Sequence, residues 1–153
     1  MIRDARADDC LRLTALAFSS KAHWGYDDSF MEACRDELTV READLVRRWV
    51  RVADDAGAIV GFHGVENNGS DEVEIAWLFV DPRAMGRGVG RALVIDALGY
   101  ARDRGATRVR IEADPNAASF YERLGARRAG STPSGSIPGR VLPVYLIDVT
   151  STT

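Results

Sequence analysis

Cysteine is nearly absent: Cys10 and Cys34 are the only two in 153 residues, with no Cys-x-x-Cys spacing and no histidine cluster beside them. That excludes a disulfide-rich scaffold and offers no metal ligand set, so both are expected as buried thiols on helices in a reducing cytoplasm, with no metal. No apolar run approaches the roughly 20 residues of a membrane span. Met1-Ile2-Arg3-Asp4 does not begin a secretory signal, so a cytoplasmic location without a membrane partner is expected. Neither sign of charge is in excess. A net charge of -3 argues against a nucleic-acid binder that relies on bulk positive charge. No segment repeats or falls into low complexity.

What is present is a globular balance, 46% hydrophobic and 28% charged, which at this length predicts one domain spanning 1–153 with a real core. Ile2–Ala5 reads as a short strand, and Asp8 as the N-cap of a helix to about Ser20. His23-Trp24-Gly25-Tyr26 interrupts, and Ser29 is placed to cap a second helix ending near Leu38. Leu45–Ala53 reads as a strand, although Asp44 to Arg51 also suits a helical turn. Ile59–Val65 and Glu72–Val80 follow as strands, and the bounding Asp54-Asp55-Ala56-Gly57 and Asn67-Asn68-Gly69 are hairpin chemistry. A helix to about Arg104 closes at Gly105, and Val109–Ala113 then returns parallel to Glu72–Val80, because a helical crossover joins them. Asn116 is placed to cap a short helix closed by Gly125, before strands at Arg127–Gly130 and Val141–Val149. The expectation is a mixed, mostly antiparallel α/β sheet of about seven strands with about four helices and a single parallel step.

That parallel step carries Asp81-Pro82-Arg83-Ala84-Met85-Gly86-Arg87-Gly88-Val89-Gly90-Arg91. Glycines at alternate positions free the backbone of Cβ bulk where the first helical N–H groups lack partners. Such a turn brings several amides to a phosphate, helped by about half a positive charge from the helix dipole. The spacing is not the Gly-x-Gly-x-x-Gly of dinucleotide folds, and no Gly-Lys-Ser/Thr follows it.

Arg83-Ala-Met-Gly86-Arg-Gly88 resembles the Arg/Gln-x-x-Gly-x-Gly/Ala signature of the GNAT superfamily of N-acetyltransferases. In the overlapping register Met85 stands where Arg or Gln is usual. Asn116-Ala-Ala-Ser-Phe-Tyr121-Glu-Arg-Leu-Gly125-Ala is similar to the family's second signature, slightly shortened. Together these matches cover roughly the C-terminal half. The resemblance implies a GNAT-like fold, acetyl-CoA as co-substrate, direct attack by a primary amine of a small molecule or peptide, and leaves a homodimer open.

In that frame Gly86, Arg87, Gly88, Val89, Gly90 and Arg91 would hold the pyrophosphate, unless the two arginines are only a solvated helix start. The edge of Trp77, Leu78, Phe79 and Val80 would pair with the pantetheine arm, with a backbone N–H near Phe79 supporting the carbonyl oxygen. Asn116 and Ser119 would reach the CoA chain or simply cap their helix. Glu74 is the candidate general base, with Glu72 on the same strand face behind it; either would otherwise be a strand-end carboxylate paired with an arginine. His63 is a further candidate base, or a hydrogen-bonded core histidine. Tyr121 aligns with the family's general-acid tyrosine, or packs its helix on the sheet. His23, Trp24, Tyr26 and Trp77 would form an aromatic wall for the amine, or a small hydrophobic cluster. The competing functions are a non-catalytic acyl-CoA-binding module and a nucleotide-binding regulatory domain.

Overall fold

The computed structural model describes residues 1–149. Its strands are β1 (Ile2–Asp4), β2 (Trp49–Asp55), β3 (Ala58–Asn67), β4 (Glu72–Val80), β5 (Arg108–Glu112), β6 (Arg127–Pro133) and β7 (Val141–Asp148). Its α-helices are α1 (Cys10–Ala22), α2 (Asp28–Ala33), α3 (Arg35–Leu38), α4 (Glu42–Arg47), α5 (Val89–Asp103) and α6 (Ala118–Arg123). The strands form one seven-stranded sheet in the order β1-β2-β3-β4-β5-β7-β6. The β4–β5 pair is parallel, whereas β1–β2, β5–β7 and β6–β7 are antiparallel.

Six helices replace the expected four because the second splits at Cys34 and because Glu42–Arg47 winds before β2 begins. Three caps also differ from expectation. Asp9, not Asp8, stands at the N-cap position of α1, but its carboxylate caps no α1 amide and instead accepts from Arg6 N at 2.8 Å, closing the 3-10 turn Ala7–Asp9 ahead of the helix. Asp27, not Ser29, caps α2 by accepting from Phe30 N at 2.8 Å. Asp114, not Asn116, accepts from Asn116 N at 2.9 Å and starts the 3-10 turn ahead of α6. In the last two cases a carboxylate two positions upstream of the expected residue takes the free first-turn amide.

The chain divides into two compact units. The first comprises Met1–Gly64 and Trp77–Val94. Its core joins Leu13, Leu16 and Ala17 of α1 to Cys34 and Leu38, with Val52 and Phe62 from the sheet. The β2–β3 hairpin turns on Ala56 (φ 53°) and Gly57 (φ 95°), with Gly57 N donating to Asp54 Oδ1 at 2.7 Å. Two consecutive left-handed residues make this the type I′ turn that matches strand twist. Cys10 is only half-buried, against expectation, while Cys34 is buried completely.

The second unit comprises Val65–Ala76 and the chain from Ile95 onward. Val73, Ile75, Val109, Ile111, Tyr145 and Ile147 form its core with Ala97, Leu98 and Ala101 of α5. The expected closure of α5 is present: Gly105 sits at φ 75° and Ala106 N donates back to Ala101 O at 3.0 Å. The parallel ladder runs from Glu72↔Arg108 to Ile75↔Ile111, and β4 continues beyond it to Val80. Among the described residues no helix is long and apolar enough to cross a membrane.

Candidate active site

The glycine turn is stiff on both sides and open in the middle. Asp81 caps a 3-10 turn over Pro82–Ala84, with Arg83 N donating to its carboxylate at 3.0 Å and Pro82 at the first position. Gly86 and Gly88 then adopt φ of 80° and 81°, a region that costs an L side chain about 1–2 kcal/mol. A Cβ at either would meet nothing within 4 Å, so conformation rather than crowding requires glycine there. Helix α5 begins at Val89, with Ala92 N donating to Gly88 O at 3.0 Å. The amides of Val89, Gly90 and Arg91 therefore lie in the first turn, where helix geometry supplies no acceptor.

Arg87 and Arg91 are exposed and make no hydrogen bond or ion pair among the described residues. Open backbone, unpartnered amides and two free guanidiniums fit the diphosphate of CoA. Met85 is half-buried and extended (φ -63°, ψ 147°), so its side chain leaves this backbone arrangement intact. Leu78, Phe79 and Val80 are half-buried on β4, and Phe79 leans on Phe62 at 5.6 Å.

In the second unit Glu74 sits opposite Arg110 in the parallel register, Oε1 to Nη1 2.9 Å. The same Arg110 nitrogen holds Glu112 at 2.6 Å. Burial raises the Glu74 pKa above the ordinary glutamate value even though Arg110 opposes the rise, and nearby Glu112 and Glu66 push it further up. Glu72 pairs with Arg108 at 2.9 Å and with Asn68. Both carboxylates thus have the arginine partners that the structural alternative required, while Glu74 keeps a raised pKa.

Tyr121 is 5% exposed, stacked on Tyr145 at 6.2 Å and edge-on to Phe120 at 5.1 Å. Burial, reinforced by Asp114, raises its pKa. Its hydroxyl makes no hydrogen bond among the described residues, unlike the neighbouring Tyr145, which donates to Glu122 at 2.7 Å. The ring of Tyr121 is thus held by packing while its O–H keeps an uncommitted donor. Asn116 and Ser119 are both exposed at this end of α6, and Asn116 Nδ2 donates to Asp114 at 3.0 Å.

The expected aromatic wall is not one cluster. Trp77 is 7% exposed, donates to Glu37 O at 3.1 Å and lies under Arg48 at 4.3 Å. His23 and Trp24 meet edge-on at 5.3 Å on the exposed α1–α2 connection, while Tyr26 stacks on Phe30 at 3.9 Å. No ring contact ties Trp77 to His23, Trp24 or Tyr26 among the described residues. His63 is completely buried beside Trp49, 5.6 Å between rings.

Sequence reasoning gave no role to Asp81, Arg12 or Gly61. The Asp-Pro pair ahead of the glycines was the available signal for Asp81. Nothing local could reveal Arg12, which reaches Asp81 across 69 positions at 2.8 Å.

The profile of the acetyltransferase (GNAT) family matches residues 8–126. The chain belongs to this family. Among similar proteins, mycothiol acetyltransferase of Salinispora tropica is 37% identical over 130 residues, covering 79% of this chain and 41% of that protein. The mycothiol acetyltransferase of Rhodococcus erythropolis is 35% identical over 130 residues, covering 78% and 42%. The GNAT chain thus spans about two fifths of the length of these relatives. Among solved structures, a GCN5-related N-acetyltransferase from Rhodopseudomonas palustris has a TM-score of 0.80 at 24% identity, covering 97% of this chain and 94% of that one. PaiA N-acetyltransferase of Thermoplasma acidophilum, in complex with coenzyme A, has a TM-score of 0.76 at 17% identity, covering 97% and 98%. These neighbours share the fold.

Proposed function

We propose that this chain transfers the acetyl group of acetyl-CoA to a primary amine of a small molecule or peptide. The observation that carries the reading is the turn at Gly86 and Gly88, open in front, backed by free first-turn amides and flanked by unpaired Arg87 and Arg91. Family membership gives that turn its ligand. Acetyl-CoA supplies an acyl group already activated as a thioester. Arg87, Arg91 and the amides from Gly86 to Arg91 bind the diphosphate, and the β4 edge at Leu78, Phe79 and Val80 orients the pantetheine arm.

Glu74 takes the proton from the acceptor ammonium, which must be neutral to attack. Its raised pKa brings it nearer the range where a carboxylate accepts a proton at neutral pH. Tyr121 returns a proton to the departing thiolate through its uncommitted hydroxyl. Asn116 and Ser119 contact the CoA chain from the exposed end of α6, and His23, Trp24, Tyr26, His63 and Trp77 are the acceptor-side candidates.

Thiol release from acetyl-CoA, followed across mycothiol-type amines, polyamines, aminoglycosides, amino acids and peptides, tests the reading. Release that depends on both the amine and Tyr121 supports it. A second reading, a non-catalytic acyl-CoA-binding module, is favoured by the Arg110 pairing of Glu74. Retained CoA binding with no release for any amine would select it.

A further inference from the structure

Asp81 is a buried, multiply bonded carboxylate outside the proton-transfer set. Asp81 is 6% exposed and ends β4 just before the glycine turn. Its Oδ1 accepts from Arg83 N at 3.0 Å and Arg83 Nε at 3.3 Å, and its Oδ2 from Arg83 Nη2 at 3.2 Å. Oδ2 also accepts from Arg12 Nη2 at 2.8 Å, and that same nitrogen donates to Ile59 O at 2.9 Å. The Asp81 backbone completes the knot: its N–H donates to Val60 O at 2.8 Å and its C=O accepts from Ala84 N at 2.8 Å. One carboxylate therefore joins α1, β3, β4 and the 3-10 turn leading to Gly86.

The far side of the turn is braced too. Gly61 of β3 is packed so closely that a Cβ there would lie 3.0 Å from Phe79 O, 3.0 Å from Val89 Cγ1 and 3.1 Å from Leu93 Cδ1. The first turn of α5 thus rests directly on β3 backbone. Between these two braces lie Gly86 and Arg87, and Gly86 and Gly88 are the residues with the greatest freedom to lose on binding.

We propose that Arg12, acting through Asp81, is a positioning residue that presets the glycine turn for a diphosphate. Arg12 touches no ligand itself. It neutralises the buried Asp81 and anchors the pair to the Ile59 carbonyl, so the 3-10 turn cannot tilt and Gly86 leaves it in a fixed direction. A turn already ordered spends less of its interaction with phosphate on ordering. The inference rests on the reading that the turn binds the diphosphate of CoA.

Calorimetric titration of CoA into the parent, Arg12→Met and Arg12→Lys, each well below its melting temperature, tests it alongside amide hydrogen exchange of the free proteins. Arg12→Met is expected to weaken CoA about tenfold, and Arg12→Lys by less, since a lysine keeps a positive charge beside Asp81. Exchange should quicken at residues 83–91 and stay unchanged in β5 and β7. Parent-like CoA affinity in Arg12→Met, or exchange that quickens uniformly along the chain, overturns the proposal. A parent that binds no CoA would sink the functional reading instead, and the exchange pattern would still decide whether Arg12 orders the turn.

Discussion

Glu74 Oε1 and Arg110 Nη1 stand 2.9 Å apart across the one parallel ladder, and the same guanidinium also holds Glu112. Three charges share two strands, so the acidity of Glu74 is set by a contest. Burial and the neighbouring carboxylates Glu112 and Glu66 raise its pKa, while Arg110 lowers it.

Replacing Arg110 by methionine removes the lowering partner, so the acid limb of the kcat/KM profile should move to higher pH than in the parent. Glu74→Gln should instead abolish that limb and cut turnover by about 10²- to 10⁴-fold, with CoA affinity kept. An acid limb unmoved in Arg110→Met assigns the titration to another group. The sign for stability follows from the raised folded-state value. The penalty for ionising Glu74 in the fold is absent below the ordinary glutamate pKa and grows as pH rises through the raised one. Stability contributed at this position therefore falls across that window, and Glu74→Gln should flatten the fall in a melting-temperature series.

Tyr121→Phe removes an oxygen with no hydrogen-bond partner among the described residues, so the melting temperature should barely change. Turnover with acetyl-CoA should nevertheless drop by about 10²-fold or more. Equal rates in the two proteins would return Tyr121 to a packing role.

Gly61→Ala and Gly64→Ala test the close approach of β3 to its neighbours. The Gly61 Cβ would press on Phe79 O, Val89 and Leu93, and the Gly64 Cβ would lie 2.8 Å from Trp77 Cε3. Trp77 cannot give way freely because its indole donates to Glu37 O at 3.1 Å. Each change should cost about 1–3 kcal/mol by overpacking. Gly135→Ala, where a Cβ meets nothing within 4 Å, is the control and should unfold like the parent in a urea titration.

Asp81 has a pKa driven well below the usual aspartate value by its Arg83 and Arg12 partners. A depressed folded-state value contributes stability that is complete above the ordinary aspartate pKa and is lost as pH falls through the folded one. Asp81→Asn should therefore start less stable at neutral pH and lose less on acidification. Parallel melting-temperature curves for the two proteins over pH 2–5 would refute this; that interval is about where ordinary carboxylates titrate.

Much of the fold was legible because its signals are local. Glu72–Val80 matches β4, and Gly105, Gly125 and the two hairpin turns sit at the positive φ their turns require. The parallel return of β5 followed from a crossover rule with few exceptions. The break at Cys34 was not legible, and the helix at Glu42–Arg47 was legible only as the alternative of a helical turn at Asp44 to Arg51, since short helices there depend on packing and on caps such as Asp44, which accepts from Arg41 N at 2.9 Å. For the candidate site, the glycine turn could be read from spacing alone. The partner of Glu74 could not, because it depends on the register of β4 against a strand 36 positions away. How the candidate aromatics are arranged could not be read either: His23, Trp24 and Tyr26 share one connection, while Trp77 on β4 donates to the Glu37 carbonyl of α3.

The hairpin tip between β2 and β3 places alanine at φ 53°, where asparagine or glycine would rest with less strain. Such a tip is expected to close after its strands meet rather than recruit them. Ala56→Gly should then speed folding hardly at all and act on the unfolding rate, as stopped-flow chevrons would show. The hairpin is in this sense a latch rather than a seed.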